Sequence, residues 1–272
     1  MTSHELMIKT NHHLIKGGLL TKAQKTNIAA QFLAAVSDEK TRQNFLRGAK
    51  APEYLFSEGQ SNDGRKMYPL FYIPPYNDGK KLQTVVPMSP KTHILSANAH
   101  ELEIIRLLHL FSPDDSAVAD MVEKTLVRLK TTCFGYNDCH IGECFHTSLV
   151  VLRFLAATRP DNAEWLGRLC RLYQNHSGDT RRHSGVAWYY WLCLAELPAD
   201  TAKPEILKYK SCMLQWLTSK SAVMNSEQDK INHPALFCIL RNCLCRFEEY
   251  EHIKTRQPYT SEKDGRLHFD MI

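Results

Sequence analysis

The stretch ELEIIRLLHLF, residues 101–111, decides the fold predicted for this chain. Its apolar residues fall on nearly every side of a helix instead of along one stripe, so the helix should be buried all round. Asn98 lies just ahead of it and has Glu101 three positions later, a pattern typical of an N-terminal cap. The sequence therefore predicts a buried helix that starts near residue 98.

Further along the chain, buried helices alternate with amphipathic ones. SLVVLRFLAA (from Ser148), GVAWYYWLCLAEL (from Gly185) and HPALFCILRNCLCRF (after Asn232) are apolar on most sides. The segments between the buried helices instead carry one apolar stripe each: Val118, Met121, Val122, Leu126 and Leu129; then Leu166, Leu169, Cys170 and Tyr173; then Ile206, Met213 and Leu217. The predicted starts of the buried helices, near 98, 145, 184 and 232, are spaced as in stacked helical hairpins. We therefore predict a mainly α fold of stacked antiparallel helical hairpins.

The chain divides into three predicted regions that together form one structural domain. Residues 1–95 hold a helix that begins after Thr21 and a small β-hairpin, in which MYPLFYI and KLQTVV flank the turn-rich PPYNDGK. Residues 96–253 form the helical-hairpin domain. Residues 254–272 form a polar tail.

Composition narrows the class of protein. With 272 residues, 43% hydrophobic and 23% charged, the chain is typical of a globular protein. A formal net charge of +5 is too mild for dedicated nucleic-acid binding. Nine scattered cysteines favour reduced thiols and the cytoplasm, and no apolar run has the length of a membrane span, so we expect no membrane partner.

The connections between helices predict where a site would lie. Links within each hairpin are short, whereas the links at about 131–144, 174–184 and 218–232 are long and polar. Antiparallel hairpins place all long links on one face, beside the N-termini of the buried helices. We call this the long-loop face and expect the functional residues there.

The first long link contains FGYNDCHIGECFH, residues 134–146, which is rich in reactive side chains. A thiolate nucleophile, Cys144 or Cys139, could act here with a neighbouring histidine as base. The candidate catalytic residues are Asp138, Cys139, His140 and Glu143. A zinc ion, the cofactor that these residue types suggest, would be held by Cys139, Cys144 and His146, although C-x4-C is at the edge of the usual ligand spacings. A polar loop of ordinary helix caps has a similar composition.

The second long link predicts an anion site. Arg181, Arg182 and His183 immediately precede a buried helix, where guanidinium groups and free backbone N–H groups suit a phosphate or carboxylate. Together with Tyr136 they are the candidate ligand-binding residues for an anionic small molecule or an acidic peptide. A solvated basic turn is the plainer interpretation of the same residues.

The alternation of buried and amphipathic helices over residues 98–250 is similar to that of the α/α toroids, among them protein prenyltransferase β subunits, terpene cyclases and glycan-processing enzymes, and to that of HEAT-like arrays. The resemblance is one of architecture. The Asp-x-Cys zinc spacing of the prenyltransferases is absent, because Asp138 and Cys139 are adjacent. The polar residues of the long-loop face favour an enzyme or ligand-binding protein, and the alternative is a non-catalytic helical-repeat module that binds another macromolecule.

Overall fold

The computed structural model describes residues 1–37, 69–71, 83–86, 88, 90, 93–136, 142–180, 184–219 and 222–271. Within these ranges the protein is mainly helical, which confirms the mainly α part of the predicted fold class. The helices are α1 (Ser3–Ile15), α2 (Lys22–Val36), α3 (His93–Phe111), α4 (Ser116–Lys130), α5 (Glu143–Thr158), α6 (Ala163–Thr180), α7 (Ser184–Glu196), α8 (Ala199–Ser219) and α9 (Glu227–Leu244). A 3₁₀ helix (Glu248–Ile253) follows, and then an antiparallel pair of two-residue strands, β1 (Tyr259–Thr260) and β2 (Leu267–His268).

Side-chain caps determine where several helices begin. Thr21 and Gln24 form a capping box at the start of α2, as the sequence predicts. Thr2 and Glu5 form an equivalent box ahead of α1, a helix that the sequence analysis missed. The predicted start of α3 at Asn98 is wrong, since α3 begins at His93. Asn98 lies inside the helix, where its amide donates to the carbonyl of Ile94 and accepts from Arg128 of α4.

The alternation of buried and half-exposed helices is confirmed. Leu102, Leu152 and Leu194 are fully buried in α3, α5 and α7. In α4, α6 and α8 burial is confined to one side, and nearly all of the predicted stripe residues are on it: Val118, Val122, Leu126, Leu129, Leu166, Leu169, Cys170, Tyr173, Ile206, Met213 and Leu217. Apolar periodicity thus predicts which helices lie inside.

The buried helices pack as a row. α3 contacts α5, α5 contacts α7, and α7 contacts α9, while α1 contacts both α3 and α9. The half-exposed helices lie over this row: α2 on α1 and α3, α4 on α3, α6 on α5 and α7, and α8 on α6, α7 and α9.

Helices in the row run in the same direction. Cys193 of α7 donates to the carbonyl of Leu149 in α5, and further along both helices Arg153 meets Glu196. α1 and α3 meet through His4 and His100 and then through Asn11 and Arg106. The C-terminal ends of the buried helices therefore share one end of the molecule.

The chain segments at either side of the helical region also pack against it. The predicted β-hairpin falls largely on residues 72–82, outside the described residues, and the described residues 69–71 and 83–86 form no strand. The backbone N–H of Leu70 donates to Glu101 of α3. Near the C-terminus, Leu267 and Phe269 are buried, and Leu267 pairs with Ala222. None of the helices in the described ranges is long and apolar enough to cross a bilayer.

A buried pair of histidines joins α1 to α3. His100 is fully buried, with Nδ1 2.5 Å from the carbonyl oxygen of Ser96 and Nε2 2.6 Å from Nδ1 of His4. Because a carbonyl oxygen only accepts, Nδ1 of His100 carries the hydrogen, and Nε2 accepts from His4. Burial, assisted by the neighbouring His4, lowers the pKa of His100 to about 4. The ring is therefore neutral in the folded protein near pH 7.

Because of this histidine pair, we expect the folded protein to lose stability in mild acid. In the unfolded chain a histidine titrates near pH 6.5, so between pH 6.5 and about 4 the unfolded state binds a proton that folded His100 excludes. The free energy of unfolding should fall by about 1.4 kcal/mol per pH unit in that window because of this group. Urea unfolding at pH 7 and pH 5 should show a smaller fall for His100→Asn than for the wild type. The exposed His13→Asn serves as the control, and identical pH slopes in all three proteins would contradict the prediction.

Candidate functional site

Four charged side chains lie inside the row of apolar helices. Glu103 and Arg106 belong to α3, Arg153 to α5 and Glu196 to α7, and we call them the central ion cluster. The side chains of Glu103, Arg106 and Arg153 are 1%, 4% and 0% exposed, whereas that of Glu196 is 30% exposed. Buried charges of this kind persist only when they are paired and hydrogen-bonded.

Arg153 is the centre of the cluster. Its Nη1 donates to Glu103 at 2.7 Å, while Nε and Nη2 donate to the two oxygens of Glu196 at 2.9 and 2.6 Å. The two bonds to Glu196 form a fork that matches the planar carboxylate. One guanidinium group on α5 thus links the helices on both sides of it.

Arg106 closes the cluster from the other side. Its Nε donates to Glu103 at 3.1 Å, its Nη1 lies 3.6 Å from Glu196, and its Nη2 donates to the side chain of Asn11 in α1 at 2.6 Å. The hydroxyl of Tyr189 donates a further bond to Glu103 at 2.7 Å. Glu103 accordingly accepts hydrogen bonds from three partners.

The cluster holds both carboxylates ionised. Burial alone would raise the pKa of Glu103, but the guanidinium groups of Arg153 and Arg106 hold it at about 2. Burial would also raise the pKa of Glu196, but Arg106 and Arg153 bring it below the ordinary value. Burial would lower the pKa of Arg153, and the two carboxylates raise it well above the ordinary value. Glu103, Glu196 and Arg153 are therefore charged near neutral pH.

A cavity of about 410 Å³ adjoins the cluster. It is lined by Leu14, Ile15, Arg106, Leu110, Ala156, Ala157, Leu192, Ala195, Glu196 and Asn242. These residues come from the C-terminal parts of α1, α3, α5, α7 and α9. The volume lies in the range of small-molecule sites, and the lining combines a mainly apolar wall with a few convergent polar groups, as such sites do.

Glu196 is the charged group that the cavity wall presents most openly. Its side chain is 30% exposed, compared with 4% for Arg106. The C-terminal ends of the helices around the cavity add to the negative potential of Glu196, because each C-terminus carries a partial negative charge of roughly half an elementary charge. The cavity is thus suited to a ligand group that donates hydrogen bonds or carries positive charge.

Most of the residues predicted for the long-loop face lie outside the described residues, namely Asp138, Cys139, His140, Arg181, Arg182 and His183. The nucleophile and anion-site hypotheses that depend on them stay predictions. Tyr136, from the same set, is described and lies in the connection after α4. Its ring meets Trp165 edge-on, and the guanidinium of Arg168 lies 4.5 Å from the ring centre.

The remaining predicted residues mark the N-terminal end of α5. Glu143 is the first residue of that helix and is buried, and Cys144 and His146 follow within the first turn. The sulfur of Cys144 lies 3.5 Å from that of Cys133, a residue that the sequence analysis did not select. Within the described part of the chain, no three or more His, Cys, Asp and Glu side chains are grouped to hold a metal ion. The zinc hypothesis includes Cys139 and stays a prediction.

The cavity and these residues lie at opposite ends of α5. Ala156 and Ala157 line the cavity from its last turn, whereas Glu143 and Cys144 begin the helix. Sequence reasoning placed function at the long links and therefore missed the cavity. A signal was present, since charged residues interrupt ELEIIRLLHLF and SLVVLRFLAA, two segments that are otherwise apolar on every side. Such charges need partners from neighbouring helices.

No family model, curated protein or solved structure matches this chain. Its function therefore has to be inferred from the chemistry of the cavity and of the central ion cluster.

Replacement of Arg153 by methionine tests the cluster. The variant leaves the buried carboxylate of Glu103 and the partly exposed one of Glu196 facing one guanidinium, so we expect the free energy of unfolding at pH 7 to fall by about 3–5 kcal/mol. Without Arg153 the pKa of Glu103 and of Glu196 should rise above the unfolded value. Folding of the variant would then take up protons, so its loss in the free energy of unfolding should be smaller at pH 5 than at pH 7.

Urea unfolding monitored by circular dichroism at both pH values measures this effect. Arg159→Met, which removes the partner of the exposed Glu123, is the matched control and should cost about 1 kcal/mol or less. The role of Arg153 in the cluster would be contradicted if both variants lost the same free energy of unfolding, or if the loss for Arg153→Met did not change with pH.

Proposed function

We propose that this chain binds a small amphipathic amine in the cavity at the C-terminal ends of the buried helices. The ammonium group would lie at Glu196, and the apolar part would pack against Leu110, Ala157 and Leu192. The observation that carries the proposal is the partly exposed, ionised Glu196 carboxylate in the wall of an otherwise mainly apolar cavity.

The sign of the ligand charge follows from the surroundings of Glu196. The central ion cluster contains two carboxylates and two guanidinium groups, so its formal charges cancel. The C-terminal ends of the helices around the cavity then make the local potential negative. Arg106 is too deeply buried to offer an anionic ligand a comparable contact. A cation with an apolar body therefore fits better than the anionic ligand predicted for the long-loop face.

The same contacts favour binding over acid–base chemistry. A general acid must hold a proton near neutral pH, which requires a pKa close to 7. The guanidinium groups move the pKa of both carboxyl groups in the opposite direction. Glu103 and Glu196 are thus suited to attracting a cation and poorly suited to donating a proton.

We further propose that the buried helices α1, α3, α5, α7 and α9 surround the cavity in a toroid-like arrangement. Each contacts the next, and α9 contacts α1. All five contribute residues to the cavity lining from their C-terminal halves. A cavity on the axis of such a ring is enclosed on its sides and reached from one end, which suits an elongated ligand.

Thermal shift measurements with three matched probes test the ligand class. We expect hexylammonium to raise the melting temperature of the full chain, because a ligand that binds only the folded state stabilises it. The uncharged 1-hexanol should have a smaller effect and hexanoate the smallest. An equal or larger shift with hexanoate would overturn the proposal.

Cavity-filling variants locate the site without disturbing the ion cluster. Ala157→Leu and Ala195→Leu place bulk in the cavity and should abolish the hexylammonium shift. Ala30→Leu makes the same change at an exposed position of α2 and should leave the shift intact. If none of the three probes shifts the wild type, the helical-repeat interaction module becomes the better hypothesis.

A further inference from the structure

Two thiols meet where the connection after α4 approaches the start of α5. Cys133 lies three residues beyond the end of α4, and Cys144 is the second residue of α5. Their sulfur atoms are 3.5 Å apart, and both side chains are half-buried. A disulfide has a sulfur–sulfur distance near 2.05 Å, so the two atoms would need to approach by roughly 1.5 Å.

The position of Cys133 is fixed by the turn that carries it. The backbone N–H of Gly135 donates to the hydroxyl of Thr132 at 3.1 Å, and Nε1 of Trp165 in α6 donates to the carbonyl of Gly135 at 2.7 Å. Phe134, the next residue, is buried. Cys144 is held by the first turn of α5. Both sulfurs therefore belong to anchored backbone, which lowers the ordering cost of joining them.

The other described cysteines lie in different environments. Cys170, Cys193, Cys238 and Cys243 are buried, and Cys193 and Cys243 donate to backbone carbonyls. Burial raises the pKa of Cys170 to about 12, which suppresses its thiolate. Cys212 is exposed, and Cys245 donates to the carbonyl of Asn242. The thiols of Cys133 and Cys144 are both partly accessible to solvent, and each lies beside the sulfur of the other.

We propose that Cys133 and Cys144 are an oxidative modification site, which hydroperoxides convert to a reversible intrachain disulfide. This inference is independent of the ligand proposed for the cavity. The disulfide would link the turn after α4 to the first turn of α5 and close the loop between them.

The chemistry balances with a hydroperoxide as the oxidant. One thiolate attacks the terminal peroxide oxygen, the O–O bond breaks, and a sulfenic acid and an alcohol form, or water when the peroxide is hydrogen peroxide. The second thiolate attacks the sulfenic sulfur, the S–S bond forms, and hydroxide leaves and is protonated to water. Two thiols lose two electrons in total, and the peroxide gains them.

Peptide mass mapping of the full chain tests the proposal. Protein that has been reduced and treated with a chelator is exposed to hydrogen peroxide, alkylated and digested with trypsin without reductant. One tryptic peptide, residues 131–153, contains Cys133, Cys139 and Cys144. We expect this peptide to carry one alkyl group instead of three and to have lost two hydrogens, about 2 Da, relative to its fully reduced form. Dithiothreitol before alkylation should restore both hydrogens and allow all three thiols to be alkylated.

Cysteine variants assign the bond. Cys139→Ser should lose the two hydrogens at the wild-type rate, and so should Cys212→Ser, which removes the exposed thiol. Cys133→Ser and Cys144→Ser should form an internal bond in this peptide at least about tenfold more slowly. Failure of the wild-type peptide to lose two hydrogens, or failure of Cys139→Ser to do so, would overturn the proposal.

Discussion

The guanidinium group of Arg153 determines how three helices meet at the centre of the molecule. It is fully buried, and its three hydrogen bonds go to carboxylates on two different helices, α3 and α7. A buried charge without partners costs several kcal/mol, so α3, α5 and α7 have to meet in the one register that brings Glu103 and Glu196 to this group. Apolar surfaces alone would tolerate a shift of one helix along another. The ion cluster removes that freedom.

The same cluster connects the fold to the cavity. Glu196 accepts two bonds from Arg153 and still exposes part of its side chain beside the apolar lining. Its orientation is therefore fixed by residues that a ligand would not touch. A preorganised carboxylate binds a cation without having to be ordered first, which reduces the entropic cost of binding. If the cavity binds a cation as proposed, stability and recognition depend on one residue, so substitutions at Glu196 would affect both properties.

Sequence periodicity predicted which helices are buried, but it did not predict which side chains pair between helices. The stripe in α4 and the all-round apolar pattern of α5 are local features, and the burial of Val118 and Leu152 follows them. The start of α3 was misplaced because Asn98 was taken for a cap, whereas it lies inside the helix and its side chain bonds to Ile94 and to Arg128 of α4. The pairing of Glu103 with Arg153 joins positions 50 residues apart. No period along the chain specifies such a pair. The candidate site was sought at the predicted long links, but two of these are shorter than predicted, since α7 begins at Ser184 after α6 ends at Thr180, and α9 begins at Glu227 after α8 ends at Ser219. The convergence of five helix ends has no comparable signal along the chain.

Contacts between α1 and α9 have a consequence for how the chain is made. Arg241 and Asn242 donate to the carbonyl of Ile15, across 226 and 227 residues, and Gln257 donates to the carbonyl of Lys16. During translation α1 emerges from the ribosome long before α9 exists, because chains elongate by only about 5–20 residues per second. For roughly ten seconds or more the side of α1 that packs on α9 has to wait, exposed or held by a chaperone, for α9 to be made.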